Sequence, residues 1–214
     1  MDGTIIDTEP FWMDAETELI ASFGGTWSHE DALTLVGQGL WHSARVLQSR
    51  GVELPEDEII GQLTDIVLGR IERGGLPWRP GAHELLTELR AAGVPTALVT
   101  MSIRKLAVVV DRAIDFPAFD FVVAGDDVEH SKPHPAAYLR AAELLGVDPR
   151  DCVAIEDSLP GVAAAVASGA ATIGVPLNVH LVEDGTFTVW PTLDGRTVGD
   201  LAAVLQARAP GARS

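Results

Sequence analysis

The sequence predicts an α/β fold: a doubly wound parallel sheet with an all-helical unit inserted into it, and with the central first strand of that sheet missing. Three observations predict it. Beyond residue 77, short apolar runs alternate with helical segments, the rhythm of parallel strands joined by crossover helices. Within residues 10–74 no strand-like run occurs. The chain opens Met1-Asp2-Gly3-Thr4, with no apolar run ahead of it.

The elements follow in order. Phe11, Ala15, Leu19 and Phe23 recur at three-to-four spacing, one face of an amphipathic helix that Gly24-Gly25 ends. Residues 31–35, 44–48 and 58–72 read as further helices, so residues 9–76 form a small helical bundle of their own. Pro77-Trp78-Arg79-Pro80-Gly81 is a turn-rich joint. After it, residues 82–92 are a helix closed by Gly93, 96–100 a strand, 104–112 a helix and 121–124 a strand. Residues 136–145 are a helix closed by Gly146, and 152–155 a strand. Residues 160–168 are a helix with proline in its first turn and Gly169 past its end, followed by a strand at 171–175. The tail holds one strand-like piece, 187–190, and one helix, 198–208. Residues 1–8 and 77–214 thus make one Rossmann-like core. Such sheets bind ligands beyond the carboxyl ends of their strands, and the polar residues there carry the chemistry.

Bulk properties narrow the function. Hydrophobic residues are 47% of the 214, so a packed core is expected. Acidic residues number 31 against 15 basic, a formal charge of −16, which argues against a nucleic-acid partner. A small phosphorylated metabolite is compatible, because a few local cations and a metal override the overall field. No stretch approaches the ~18 apolar residues of a membrane span. No cationic and apolar leader is present, and the single cysteine, Cys152, suits a reducing compartment. A cytoplasmic protein without membrane partners is expected.

Three sets of residues follow the strands, and Asp2 completes them. Thr100, then Met101-Ser102, place a hydroxyl and backbone N–H groups at a helix entrance, an arrangement that binds phosphate and that equally serves as a plain helix cap. Lys132, in Ser131-Lys132-Pro133-His134-Pro135, is a point charge for a phosphate and for an attacking carboxylate, or a solvated loop lysine. Glu156-Asp157 are adjacent carboxylates that repel and lose hydration, costs a hard divalent cation relieves. Oxygen-only ligands in small number suit Mg²⁺. Asp2 can give and take a proton at a leaving oxygen. Cys152, within a strand, reads as core rather than as a nucleophile.

The order of these parts, Asp-Gly-Thr, a threonine after a strand, a lysine before proline, then an acidic pair, resembles the haloacid-dehalogenase-like hydrolase superfamily. Within it the chain is similar to the phosphatase and phosphoglucomutase-like group that carries a helical cap. The glycine- and alanine-rich helix Pro160-Gly161-Val162-Ala163-Ala164-Ala165 belongs to the same pattern, and the resemblance runs from Met1 to about Pro176. It implies a phosphatase that works through an aspartyl-phosphate hydrolysed by water. Asp2 would be acid, then base, with its carbonyl facing Mg²⁺. Gly3, Thr4, Thr100, Met101 and Ser102 would hold the phosphoryl group, Lys132 would neutralise its oxygens, and Glu156 and Asp157 would anchor the metal together with Asp2.

The chain departs from that pattern in two ways. The nucleophilic aspartate would lie immediately before Met1, at the end of the missing strand, so the functional protein is expected to begin upstream. The mutases of the group use a histidine and an arginine from the cap; aligned on Asp-Gly-Thr and on Gly37, those positions hold Trp12 and Leu40, which favours a phosphatase. Trp12, Trp27, Trp41 and His42 are candidates for the cap's substrate-facing side, Trp27 being the one read as ordinary packing. Two alternatives stay open: a relative that binds phosphate and Mg²⁺ without turnover, and a phosphoacceptor receiver domain, which lacks an insertion of this length.

Overall fold

The computed structural model describes residues 1–36 and 39–207. Gly37, used to place Leu40, and Arg208, expected to end the last helix, lie outside the described residues. The chain divides into two compact units, Met1–Ile6 with Trp78–Ser214, and Asp7–Pro77.

The first unit is α/β. Its helices and strands alternate as α5 (Ala82–Ala91), β1 (Ala97–Val99), α6 (Arg104–Ala113), β2 (Phe121–Val123), α7 (Ala136–Leu145), β3 (Val153–Glu156), α8 (Leu159–Ser168), β4 (Ala171–Gly174), β5 (Thr188–Val189) and α9 (Val198–Ala207). Every strand pair is parallel: Leu98 lies opposite Val122, Ala154 opposite Thr172, and Ile173 opposite Thr188. The strands are short and largely buried because helices cover the sheet, so the sequence shows apolar runs rather than alternation. Cys152 stands just before β3 rather than in it. The thiol is half-buried and donates to the Asp148 carbonyl at 3.4 Å; burial, with Asp151 and Asp148 nearby, raises its pKa and keeps it unreactive.

The sheet is in two pieces, β2–β1 and β3–β4–β5. Among the described residues no ladder joins β1 to β3. Both strands instead line a cavity of about 450 Å³, whose walls include Leu98, Ala154, Leu85, Leu86, Leu201 and Met1.

The second unit contains α1 (Glu9–Ser22), α2 (His29–Leu33), α3 (Leu40–Ser49) and α4 (Glu56–Gly74). Helix α4 is its centre. Ile59, Ile60, Leu63, Thr64, Val67, Leu68 and Ile71 are buried in one continuous stripe, against α1 and α3. Three acidic residues open α4 where the helix dipole favours them, and Gly75, at φ +78°, ends it. A reciprocal cap starts α2: the Asp31 amide donates to the Ser28 hydroxyl, and the Ser28 amide to the Asp31 carboxylate, both at 3.1 Å. The expected stripe on α1 is only half observed. The buried face is Ala15, Glu16, Leu19 and Ile20; Phe23 is the residue past the helix end, and 40% exposed.

Glu16 is therefore a carboxyl on a core face, 5% exposed. The Trp27 indole donates to it at 3.2 Å. Burial dominates, with Glu9 adding to it, and pushes its pKa from 4.5 to about 7. Between those two values the folded chain holds a proton that the unfolded chain has released. Stability therefore falls as pH rises through that window and levels off above it, by about 3 kcal/mol in all. Glu16→Gln keeps an acceptor for Trp27 and removes the charge. Melting temperatures from pH 4.5 to 8 should fall less steeply with pH for the variant than for the parent, and the variant should be the more stable at pH 8. Parallel curves would show that Glu16 does not titrate in this window.

Candidate active site

The site is built on the turn at residues 1–6. The Met1 carbonyl accepts from the amides of Thr4, Ile5 and Ile6 at 3.2, 3.0 and 3.4 Å, and the Gly3 amide donates to the Ile6 carbonyl at 2.8 Å. Gly3 is required twice: its φ is +73°, and a Cβ there would stand 2.1 Å from an oxygen of Asp157. Arg79 locks the turn from the other side. Its amide donates to the Ile5 carbonyl at 2.9 Å, and its buried guanidinium donates to the carbonyls of Gly3, Val175 and Pro176, the last two at 2.9 Å.

The turn meets the ends of β1 and β3. The Ser102 hydroxyl donates to the Asp2 carboxylate at 3.1 Å, and the Ser102 amide donates to the Thr100 hydroxyl at 3.1 Å. Thr100 is 5% exposed and its amide pairs with the Val123 carbonyl, so the strand pair β1–β2 fixes it. The Thr4 hydroxyl donates to Oδ1 of Asp157 at 2.7 Å. Burial raises the Asp157 pKa against the opposing effects of the Met1 amino group and Thr4.

Lys132, Tyr138 and Glu156 form a buried polar group beside these. The Lys132 ammonium donates to Oε1 of Glu156, to the Val99 carbonyl at 3.4 Å and to the Tyr138 hydroxyl at 3.5 Å, and the Tyr138 hydroxyl donates to the same Glu156 oxygen. Glu156 is 4% exposed. Burial works against its charge, but Lys132, the Met1 amino group and the two hydrogen bonds outweigh it and hold its pKa below the usual value. Burial beside that carboxylate pushes the Tyr138 phenol well above its ordinary range. The other face of Glu156 lies on the first turn of α8, where a Cβ on Gly161 would stand 2.0 Å from the carboxylate. The Lys132 amide approaches the Met101 sulfur at 3.5 Å, which brings the loop of Lys132 onto the loop after β1.

All the core residues expected from sequence thus gather at the carboxyl ends of β1 and β3: Asp2 with Ser102 and Thr100, Gly3 and Thr4 with Asp157, Lys132 with Met101 and Glu156. Among the described residues no three His, Cys, Asp or Glu side chains make a preformed metal cage. A Mg²⁺ site does not need one, since it typically uses one or two carboxylates plus waters and phosphate. The oxygen-only donor set fits such an ion. In the helical unit, Trp27 is buried, the Trp12 indole donates to the Thr8 hydroxyl at 3.2 Å, and Trp41 and His42 are exposed. Sequence reading missed Tyr138, Arg79 and Gly161. Tyr138 had a signal: it is the chain's only tyrosine, set on a helix face otherwise made of alanines. Arg79 had a weaker one, a lone cation between two prolines' turns.

Known proteins resemble this chain in sequence and in fold. The profile of the haloacid dehalogenase-like hydrolases matches residues 1–169. Hexitol phosphatase B of Escherichia coli K12 is 31% identical, over 82% of this chain and 81% of its own length. The bifunctional riboflavin kinase/FMN phosphatase of Arabidopsis thaliana is 32% identical over 82% of this chain, which spans only 47% of that longer protein. Two structures of CbbY from Rhodobacter sphaeroides, one in complex with phosphate and one a mutant in complex with xylulose-(1,5)bisphosphate, superpose with TM-scores of 0.83 and 0.82; each is 29% identical and covers 94% of this chain and 96% of that one. With its fold, its strand-end residues and these likenesses, the chain belongs to the haloacid dehalogenase-like hydrolase family.

Proposed function

We propose that this protein hydrolyses a small phosphate monoester, a phosphorylated sugar or sugar alcohol, through an aspartyl-phosphate. The observation that carries the reading is the hydrogen-bonded set Asp2–Ser102–Thr100 beside Thr4–Asp157, at the strand ends where a doubly wound sheet binds ligands. The names of the phosphatase relatives support the substrate class.

In this reading an aspartate directly preceding Met1 attacks phosphorus. The bond from phosphorus to the ester oxygen breaks, and Asp2 gives that oxygen its proton. Asp2 then takes a proton from the water that attacks the aspartyl-phosphate, releasing phosphate and restoring both carboxyl groups. Ser102 holds the Asp2 carboxylate in place, and Thr100 with the amides of Met101 and Ser102 supplies donors to the phosphoryl oxygens. Lys132 sets the charge balance of the pocket and keeps Glu156 ionised. Asp157, Glu156 and the Asp2 carbonyl would hold Mg²⁺, which when bound neutralises charge on the phosphoryl oxygens.

A protein extended upstream to include the strand and its aspartate should hydrolyse sugar or sugar-alcohol phosphates only with Mg²⁺ present, in a phosphate-release assay over a substrate panel. Replacing that aspartate by Asn should abolish turnover, and Asp2→Asn should lower kcat by about 10²–10⁴-fold. An extended protein that binds phosphate and Mg²⁺ but turns over none of the panel would favour the non-catalytic reading. Coding sequence before Met1 without an in-frame Asp after an apolar run would remove the assigned nucleophile.

Thr4 holds one oxygen of the carboxylate assigned to the metal. Thr4→Val should weaken Mg²⁺ binding by roughly 10-fold or more, as removal of an outer-shell partner does. Calorimetric titration with Mg²⁺ alone reads this without turnover. Unchanged affinity in a folded variant would take Asp157 out of the metal site.

A further inference from the structure

A lysine ammonium has three N–H donors and no acceptor. At Lys132 each donor has an acceptor within the protein: Oε1 of Glu156, the Val99 carbonyl at 3.4 Å and the Tyr138 hydroxyl oxygen at 3.5 Å. The lysine side chain is only 9% exposed. Val99 ends β1, so the ammonium stands at the strand end from which Thr100, Met101 and Ser102 follow. With its donors engaged inside the protein, the ammonium must release one acceptor to bond a phosphoryl oxygen. Release from Glu156 would strand a buried charge. Release from Val99 would take a donor from a main-chain carbonyl. Release from Tyr138 strands nothing: the phenol keeps its own bond to Glu156 and loses only the contact it accepts, the longest of the three.

We propose that Tyr138 is a positioning residue of the phosphate site: its oxygen holds the third N–H of Lys132 until an anion takes that proton donor over, and its hydroxyl holds Glu156 throughout, so that the carboxylate does not draw the ammonium back. The inference rests on the phosphoryl site proposed above. A phenol suits the task because one oxygen both accepts and donates. It sits on a helix whose buried face is alanine, Ala137, Ala141 and Ala142, which lets α7 lie close to the sheet. A phenylalanine would keep the ring, 5.0 Å from the ammonium, and remove both bonds. Glu156 would then have Lys132 as its one side-chain donor among the described residues. Bonds to a charged group are the stronger kind, so losing the donor to Glu156 outweighs freeing the long contact to Lys132. The ammonium is pulled toward the carboxylate, and the anion binds less well.

Tyr138 is the chain's only tyrosine, so tyrosine labelled with ¹³C at the ring carbon bearing the hydroxyl gives one NMR signal that reports on it alone. Inorganic phosphate added to the 214-residue chain should move that signal as Lys132 leaves the phenol, and Glu156→Gln should move it without phosphate. By calorimetry, Tyr138→Phe should bind phosphate roughly 10-fold more weakly, and in a Glu156→Gln background the same change should cost little more, the mark of two residues acting as one unit. Phosphate binding that leaves the tyrosine signal in place, or a folded Tyr138→Phe chain that binds phosphate as the parent does, would overturn the proposal alone. The tyrosine signal decides the matter even if Tyr138→Phe fails to fold. A parent chain that binds no phosphate would overturn the proposal together with the phosphoryl site on which it rests.

Discussion

Two carboxylates set side by side at the end of a buried strand are the constraint around which this site is organised. Glu156 and Asp157 cannot both be charged and dry without compensation. The chain treats them differently. Glu156 is sunk between Lys132 and the first turn of α8, where an ammonium and a phenol both donate to one oxygen. Asp157 receives one hydroxyl, from Thr4, and its second oxygen faces the glycine of the opening turn. Burial works to raise both pKa values; at Glu156 Lys132 and the other partners outweigh it, whereas at Asp157 burial prevails. One carboxylate is thus satisfied by the protein itself, whereas its neighbour, proposed above as a metal ligand, accepts a single hydroxyl.

Much of this was legible in the sequence, for a physical reason. Short apolar runs bounded by Gly and Pro can be read as buried strands, and ligands of such sheets lie past the strand ends, so Thr100, Lys132 and Glu156-Asp157 could be found one strand at a time. The helix α7 was placed to the residue because Pro135 and Gly146 punctuate it. What could not be read is what depends on distant pairing. Tyr138 has its role because α7 brings it under Lys132, and Arg79 because β4 ends beside the opening turn. On α1 the spacing of Phe11 and Phe23 suggested the wrong edge of the stripe. The packed face instead carries Glu16, whose carboxyl accepts from the Trp27 indole, and leaves out a phenyl ring past the helix end.

The polar site also joins the two sheet pieces. With no ladder between β1 and β3 among the described residues, the connections run through side chains and the opening turn. Lys132 reaches the Val99 carbonyl on β1 and the Glu156 carboxylate on β3. The turn at residues 1–6 is held by Ser102 on one side and by Asp157 on the other, and Arg79 ties its Gly3 carbonyl to the exit of β4. A guanidinium suits that last task better than an ammonium, since its planar fork presents several donors at fixed angles to carbonyls on separate segments. These bonds all lie at the carboxyl ends of the strands. Below them the two pieces face each other across an apolar cavity. The residues assigned to catalysis are therefore also the clasp of the sheet.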